Sequence, residues 1–63
     1  MAFGIVKFYN EKSGFGFIKE EDSGQEIYVR STGLLEPIKE DDKVTFRLTE
    51  GKKGLVAIEV KKV

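Results

Sequence analysis

The sequence contains no cysteine and no histidine. Without cysteine there is no disulfide staple, no thiolate metal site and no argument for an oxidising compartment. Without histidine as well, zinc centres, Ser-His and Cys-His nucleophile pairs and imidazole acid–base chemistry all fall away. Tryptophan is missing too, and proline occurs once, at Pro37. No apolar run approaches the roughly 20 residues that a helix needs to span a bilayer. Met1-Ala2-Phe3 leads straight into a strand pattern, without the basic stretch and apolar core of a signal peptide. A soluble cytoplasmic protein with no membrane partner is the expectation. Charge of one sign is also lacking: 11 basic residues face 11 acidic ones, for a net of zero.

What is present is compact. Sixty-three residues, 40% of them hydrophobic, suffice for one small core. One domain over residues 1–63 is therefore expected, near the lower limit for a chain that folds alone. No internal repeat, low-complexity tract or linker interrupts it.

Period-two alternation dominates the chain. Residues 2–10 read as a strand whose parity is mixed: Val6 and Phe8 fall on one side, Ile5, Lys7 and Tyr9 on the other. A bend at Gly4 would let the parity switch partway. Asn10 to Gly14 is turn chemistry, because Asn and Gly tolerate the left-handed region. Residues 15–20 form a second strand, 21–24 a polar hairpin connection, and Gln25 to Arg30 a third strand with Ile27 and Val29 inward. Ser31 to Asp42 is the longest break. It holds a candidate helical turn at 31–35, and Pro37 is incompatible with a central strand.

Lys43 to Glu50 is the clearest strand, with Val44, Phe46 and Leu48 expected in the core. Gly51-Lys52-Lys53-Gly54 reads as a hairpin turn. Leu55 to Val63 closes the chain, with Val56, Ile58 and Val60 expected inward. Five short strands and no helix of three turns imply an all-β fold, a small five-stranded antiparallel β-barrel. Closure removes the sheet edges that would invite aggregation.

The stretch Lys7-Phe8-Tyr9-Asn10-Glu11-Lys12-Ser13-Gly14-Phe15-Gly16-Phe17-Ile18 sets the functional expectation. Ile18 matches Ile27 and Val29 as a core position, so Phe15 and Phe17 point outward, beside Tyr28 if the strands pair. Several rings exposed together on so small a protein form a stacking platform for bases. The competing structural account is a minor hydrophobic cluster over the barrel, or a protein contact. Lys7, Lys12 and Arg30 flank the rings and are candidates for phosphate. Asn10 either bonds a base or fixes the turn, and Tyr9 reaches the platform only if its strand bends. The acidic group Glu36, Glu40, Asp41 and Asp42 lacks the alternating ligands and central glycine of a calcium loop and reads as solvated. Gly14 and Gly16 precede no helix, so they make no phosphate cradle.

Lys7-Phe8-Tyr9-Asn10, Gly14-Phe15-Gly16-Phe17-Ile18 and Ile27-Tyr28-Val29-Arg30 resemble the two ribonucleoprotein-type motifs of the bacterial cold-shock proteins. Gly51 to Val60 is similar to that family's last hairpin, so the likeness covers nearly the whole chain. The resemblance implies an oligonucleotide-binding (OB-fold) barrel of the cold-shock domain type that binds single-stranded RNA or DNA as an RNA chaperone. Carboxylates are plentiful but lie on turns and outward strand positions, with no apolar pocket to raise a pKa, so no enzymatic activity, cofactor, metal or small-molecule substrate is expected.

With the flanking cations included, the expected nucleic-acid-binding residues are Lys7, Phe8, Tyr9, Asn10, Lys12, Phe15, Phe17, Tyr28 and Arg30, and a monomer is expected. The chain resembles a divergent member. Phe8 stands where the family usually has tryptophan, and Ile27-Tyr28-Val29-Arg30-Ser31 stands where Val-Phe-Val-His-Phe is common. Arg30 keeps a flat group with a permanent charge, Ser31 loses a ring, and the loop to Asp42 is short and without aromatics. Fewer subsites and weaker binding than in a typical member are expected.

Overall fold

The structure is a computed structural model, and it describes residues 2–51 and 54–63. Five strands form: β1 (Ala2–Asn10), β2 (Phe15–Glu20), β3 (Glu26–Arg30), β4 (Lys43–Gly51) and β5 (Gly54–Lys62). A 3-10 turn, Ser31–Gly33, follows β3, where the sequence places a helical turn. The strands close into a barrel, as five short strands imply; their order, β1-β2-β3-β5-β4, is not readable from the alternation. Four seams are antiparallel. The fifth, between β3 and β5, is parallel and short, pairing Tyr28 with Val56 and Val29 with Ala57. The sheet is therefore mixed rather than wholly antiparallel.

The turns follow their residues. Gly14 (φ 74°) and Gly24 (φ 71°) adopt the left-handed conformation that closes each hairpin at little cost for glycine. The Asn10 side chain fixes the first turn: its Oδ1 accepts from the backbone N–H of Lys12 (2.9 Å) and of Ser13 (3.2 Å). The turn expected at Gly51-Lys52-Lys53-Gly54 lies partly outside the described residues, although Gly51 and Gly54 pair at its base.

The core is sealed. Val6, Ile18, Val29, Val44, Phe46, Ala57 and Val60 are fully buried, with Ile27 and Ile38 nearly so. Phe46 is its largest side chain, as its place between Val44 and Leu48 suggests. Ile38 reaches this core from the long connection rather than from a strand. That connection is tied down by Leu34, which bridges to Val60, and by Leu35, whose N–H donates to the Val60 carbonyl.

Three expectations are corrected. The bend in β1 lies at Lys7, where the pairing with β2 slips between Val6 and Phe8, not at Gly4. Gly4 instead permits close packing, since a Cβ there would lie 2.5 Å from the Lys19 carbonyl oxygen. On β5, Ala57 and Val60 are buried while Val56 and Ile58 are only half-buried. A second register shift between Thr45 and Arg47, with Glu59 at φ 51°, moves the inward parity by one residue. Leu48, expected in the core, is 39% exposed.

Candidate nucleic-acid interface

The bulge at Lys7 decides what β1 presents. Before it, Gly4 and Val6 face inward; after it, Phe8 faces out and Tyr9 packs against the core. Phe8 then stands opposite Phe17, Phe17 opposite Tyr28, and Tyr28 opposite Val56. A single outward row thus crosses four strands. The adjacent outward row is Asn10, Phe15 and Arg30.

Four rings fill the middle of these rows and touch one another. Phe8 and Phe15 meet edge-on at 6.1 Å, Phe15 and Tyr28 stack at 6.0 Å, and Phe17 and Tyr28 meet edge-on at 5.9 Å. These are ordinary separations for favourable aromatic pairs. None of the four belongs to the buried core; Phe8 is 42% exposed and the other three are half-buried. The mutual contacts hold the rings in place while leaving their outer surfaces open.

The flanking groups are less uniform. Arg30 is exposed beside Phe15, and Lys12 is exposed in the turn. Lys7 is not free: its ammonium lies 3.7 Å from the Glu26 carboxylate, with both side chains about half-exposed. Such a surface pair contributes only about 0–1 kcal/mol, but it sets a carboxylate beside the cation that a phosphate would meet. Asn10 faces the platform's edge with its carbonyl oxygen committed to the turn.

Tyr9 is placed apart from the four rings. It stands opposite Gly16 on the inward side and lines an open depression with Ser31, Leu34 and Pro37. Gly16 itself is filled by chain, not ligand: a Cβ there would lie 2.1 Å from the Phe8 carbonyl oxygen and 2.7 Å from the Tyr9 Cα. Among the described residues no group of three or more acidic side chains is arranged to hold a metal ion. No helix among them is long and apolar enough to cross a membrane.

Sequence reasoning missed two members of this surface. Glu26 is recognisable as outward, yet its pairing with Lys7 depends on the bulge. Val56 joins the ring row only through the parallel seam, which no local pattern announces.

Known proteins share this architecture. A family model described as the "Cold-shock" DNA-binding domain matches residues 2–63. The major cold shock protein of Micrococcus luteus is 36% identical, with 100% of each chain covered. A cold shock-like protein of Stigmatella aurantiaca, CspA, is 34% identical, with 100% of this chain and 98% of the relative covered. Among solved structures, one titled "drosophila Unr CSD456" superposes with a TM-score of 0.82 at 25% identity. That match covers 98% of this chain, which spans 26% of the other's length.

Proposed function

The chain belongs to the "Cold-shock" DNA-binding domain family, and from that membership we propose that it binds single-stranded RNA or DNA by stacking bases on Phe8, Phe15, Phe17 and Tyr28. The observation that carries the reading is four touching rings, open to water, on the outside of a barrel whose core is already complete. Every base has a flat face, so such a platform is tolerant of sequence. Each stacked base is worth about 1–3 kcal/mol by truncation. Three or four of them, less the cost of ordering the strand, correspond to roughly micromolar binding.

Lys7, Lys12 and Arg30 supply the phosphate contacts in this reading, and Asn10 holds the turn that presents them. Tyr9 buttresses the sheet from its inner side. Two or three phosphate contacts imply a shallow salt dependence, with a slope of about −1.5 to −2 for a single strand. By mass action, a protein that holds bases away from their partners melts marginal hairpins. Chaperone activity of that kind requires no cofactor, no energy source and no catalytic group. The whole of 1–63 acts as one domain, a monomer working in the cytoplasm.

One observation favours a different use of the same patch. With zero net charge and Lys7 paired to Glu26, the rings suit a protein partner almost as well as a polyanion. Titration with a seven-base oligothymidine and its duplex, followed by tyrosine fluorescence or by NMR, separates the two. Binding of the single strand alone, weakened several-fold by Phe15→Ala and by Phe17→Ala in folded protein, supports the proposal. Resonances of the four rings that stay unmoved at millimolar ligand would leave the protein-interaction reading in its place.

A further inference from the structure

The outward face of β1 does not become polar beyond the platform. Ile5 and Phe3 continue it, 39% and 47% exposed, and Phe3 is the most exposed aromatic side chain among the described residues. Ile5 stands between Lys19 on β2 and Lys43 on β4. Phe3 stands opposite Thr45, and its carbonyl accepts from the N–H of Glu21. Its ring takes part in none of the aromatic pairs among the described residues. The path from Phe8 to Phe3 therefore runs over an apolar floor with Lys7, Lys19 and Lys43 along its sides. Lys43 is shared with Glu21 at 3.7 Å and Lys7 with Glu26 at 3.7 Å, while Lys19 has no ion pair among the described residues.

We propose that the bound single strand continues past Phe8 along the outside of β1, over Ile5, to a further stacking position on Phe3, with Lys19 and Lys43 meeting its phosphates. This rests on the stacking function proposed above and extends its footprint. The occupant follows from continuity with the ring platform and from the basic flanks, which suit a polyanion. The distance is accessible. Phe8 lies opposite Phe17, and the Phe3 carbonyl accepts from Glu21, just past the end of β2, so the two positions are four residues apart along the paired chain, ~13 Å at ~3.3 Å per residue. That span is at most about four nucleotides at the ~3.4 Å step of a stacked strand, and fewer in an extended one.

Affinities for a five-base and a ten-base oligothymidine, measured on the full chain and on Phe3→Ala, Phe3→Leu and Phe17→Ala, test the extension. Phe3→Leu keeps a large apolar side chain opposite Thr45 without a flat ring, so it remains informative if Phe3→Ala is unstable. The expected result is that Phe17→Ala weakens both ligands, whereas the Phe3 variants weaken only the ten-base strand, by about five- to tenfold. The Phe3 ring resonances should move with the longer ligand alone. Unchanged ten-base affinity in Phe3→Leu, with Phe17→Ala still impaired, overturns the extension and leaves the platform standing. If Phe17→Ala weakens neither ligand, the platform and its extension fall together. Concentration-dependent sedimentation abolished by Phe3→Leu would assign the patch to a second copy of the chain and also overturn the extension.

Discussion

Phe15 and Tyr28 stack with their planes 27° apart, although neither is the other's partner in register. Phe15 stands opposite Arg30 and Tyr28 opposite Phe17. The stack is therefore diagonal, and it ties the two outward rows into one surface. Phe15 and Tyr28 each touch two rings of the group, while Phe8 and Phe17 touch one each. A base laid on this surface meets rings that are already ordered, so little side-chain freedom is lost on binding.

The first prediction concerns that asymmetry. Phe15→Ala and Tyr28→Ala should each weaken single-strand binding about tenfold, within the range of one stacked base, and Phe8→Ala should weaken it less. Tyr28→Phe, which keeps the ring, should leave affinity nearly unchanged. Fluorescence titration of the Phe variants, and NMR titration of those lacking Tyr28, measure the differences. Equal losses at Phe8 and Phe15 would show that the rings act separately rather than as a coupled surface.

A second prediction follows from the Lys7–Glu26 pair. Glu26→Gln releases the Lys7 ammonium without changing the shape of the strand, and it removes a carboxylate that repels phosphate. Affinity for a single strand should rise several-fold at low salt. The salt slope should steepen by about 0.7, the increment for one further phosphate contact. Because the pair is half-exposed, folding stability should change by less than about 1 kcal/mol. An unaltered slope would mean that the Glu26 carboxylate does not hold Lys7 away from phosphate.

Much of this surface is legible in the sequence because strands have period two. Phe15, Phe17 and Tyr28 alternate against Ile18, Ile27 and Val29, and that alone separates the platform from the core. What is not legible is each place where the period slips. Tyr9 cannot be assigned a side until the extra residue at Lys7 is known, and the inward set of β5 cannot be assigned until Glu59 is seen in the left-handed region. The β3–β5 seam joins residues nearly thirty positions apart over two pairs, too short to leave a pattern. Ile38 is hidden for another reason: it enters the core from a connection that has no periodicity at all.

Gly16 gives the third prediction, because the chain comes so close there. It is β1 that approaches, with the Phe8 carbonyl occupying the space of a side chain. Backbone cannot yield as a flexible side chain can, so Gly16→Ala must spread the β1–β2 seam. It should cost at least about 1–3 kcal/mol, the range of an overpacked interior, read as a lower midpoint in urea. By moving Phe8 it should also weaken binding in whatever fraction stays folded. A variant as stable as the parent would show that the two strands are not held this tightly in solution.

Thr45 gives the fourth. It stands on β4 opposite Phe3 and Lys61, and it is only 9% exposed. Its hydroxyl has no hydrogen-bond partner among the described residues. An unmade hydrogen bond of this kind costs about 1–3 kcal/mol, whereas an apolar group of the same shape costs nothing comparable. Valine has that shape and the same branched preference for a strand. Thr45→Val should therefore raise stability by about 1 kcal/mol, which in a domain of this size is roughly 4–8 °C in Tm. Because Thr45 is distant from the four rings, affinity for a short single strand should not change. Thermal unfolding followed by circular dichroism decides it: an unchanged or lowered Tm would mean that the Thr45 hydroxyl finds a hydrogen-bond partner, such as water, in solution.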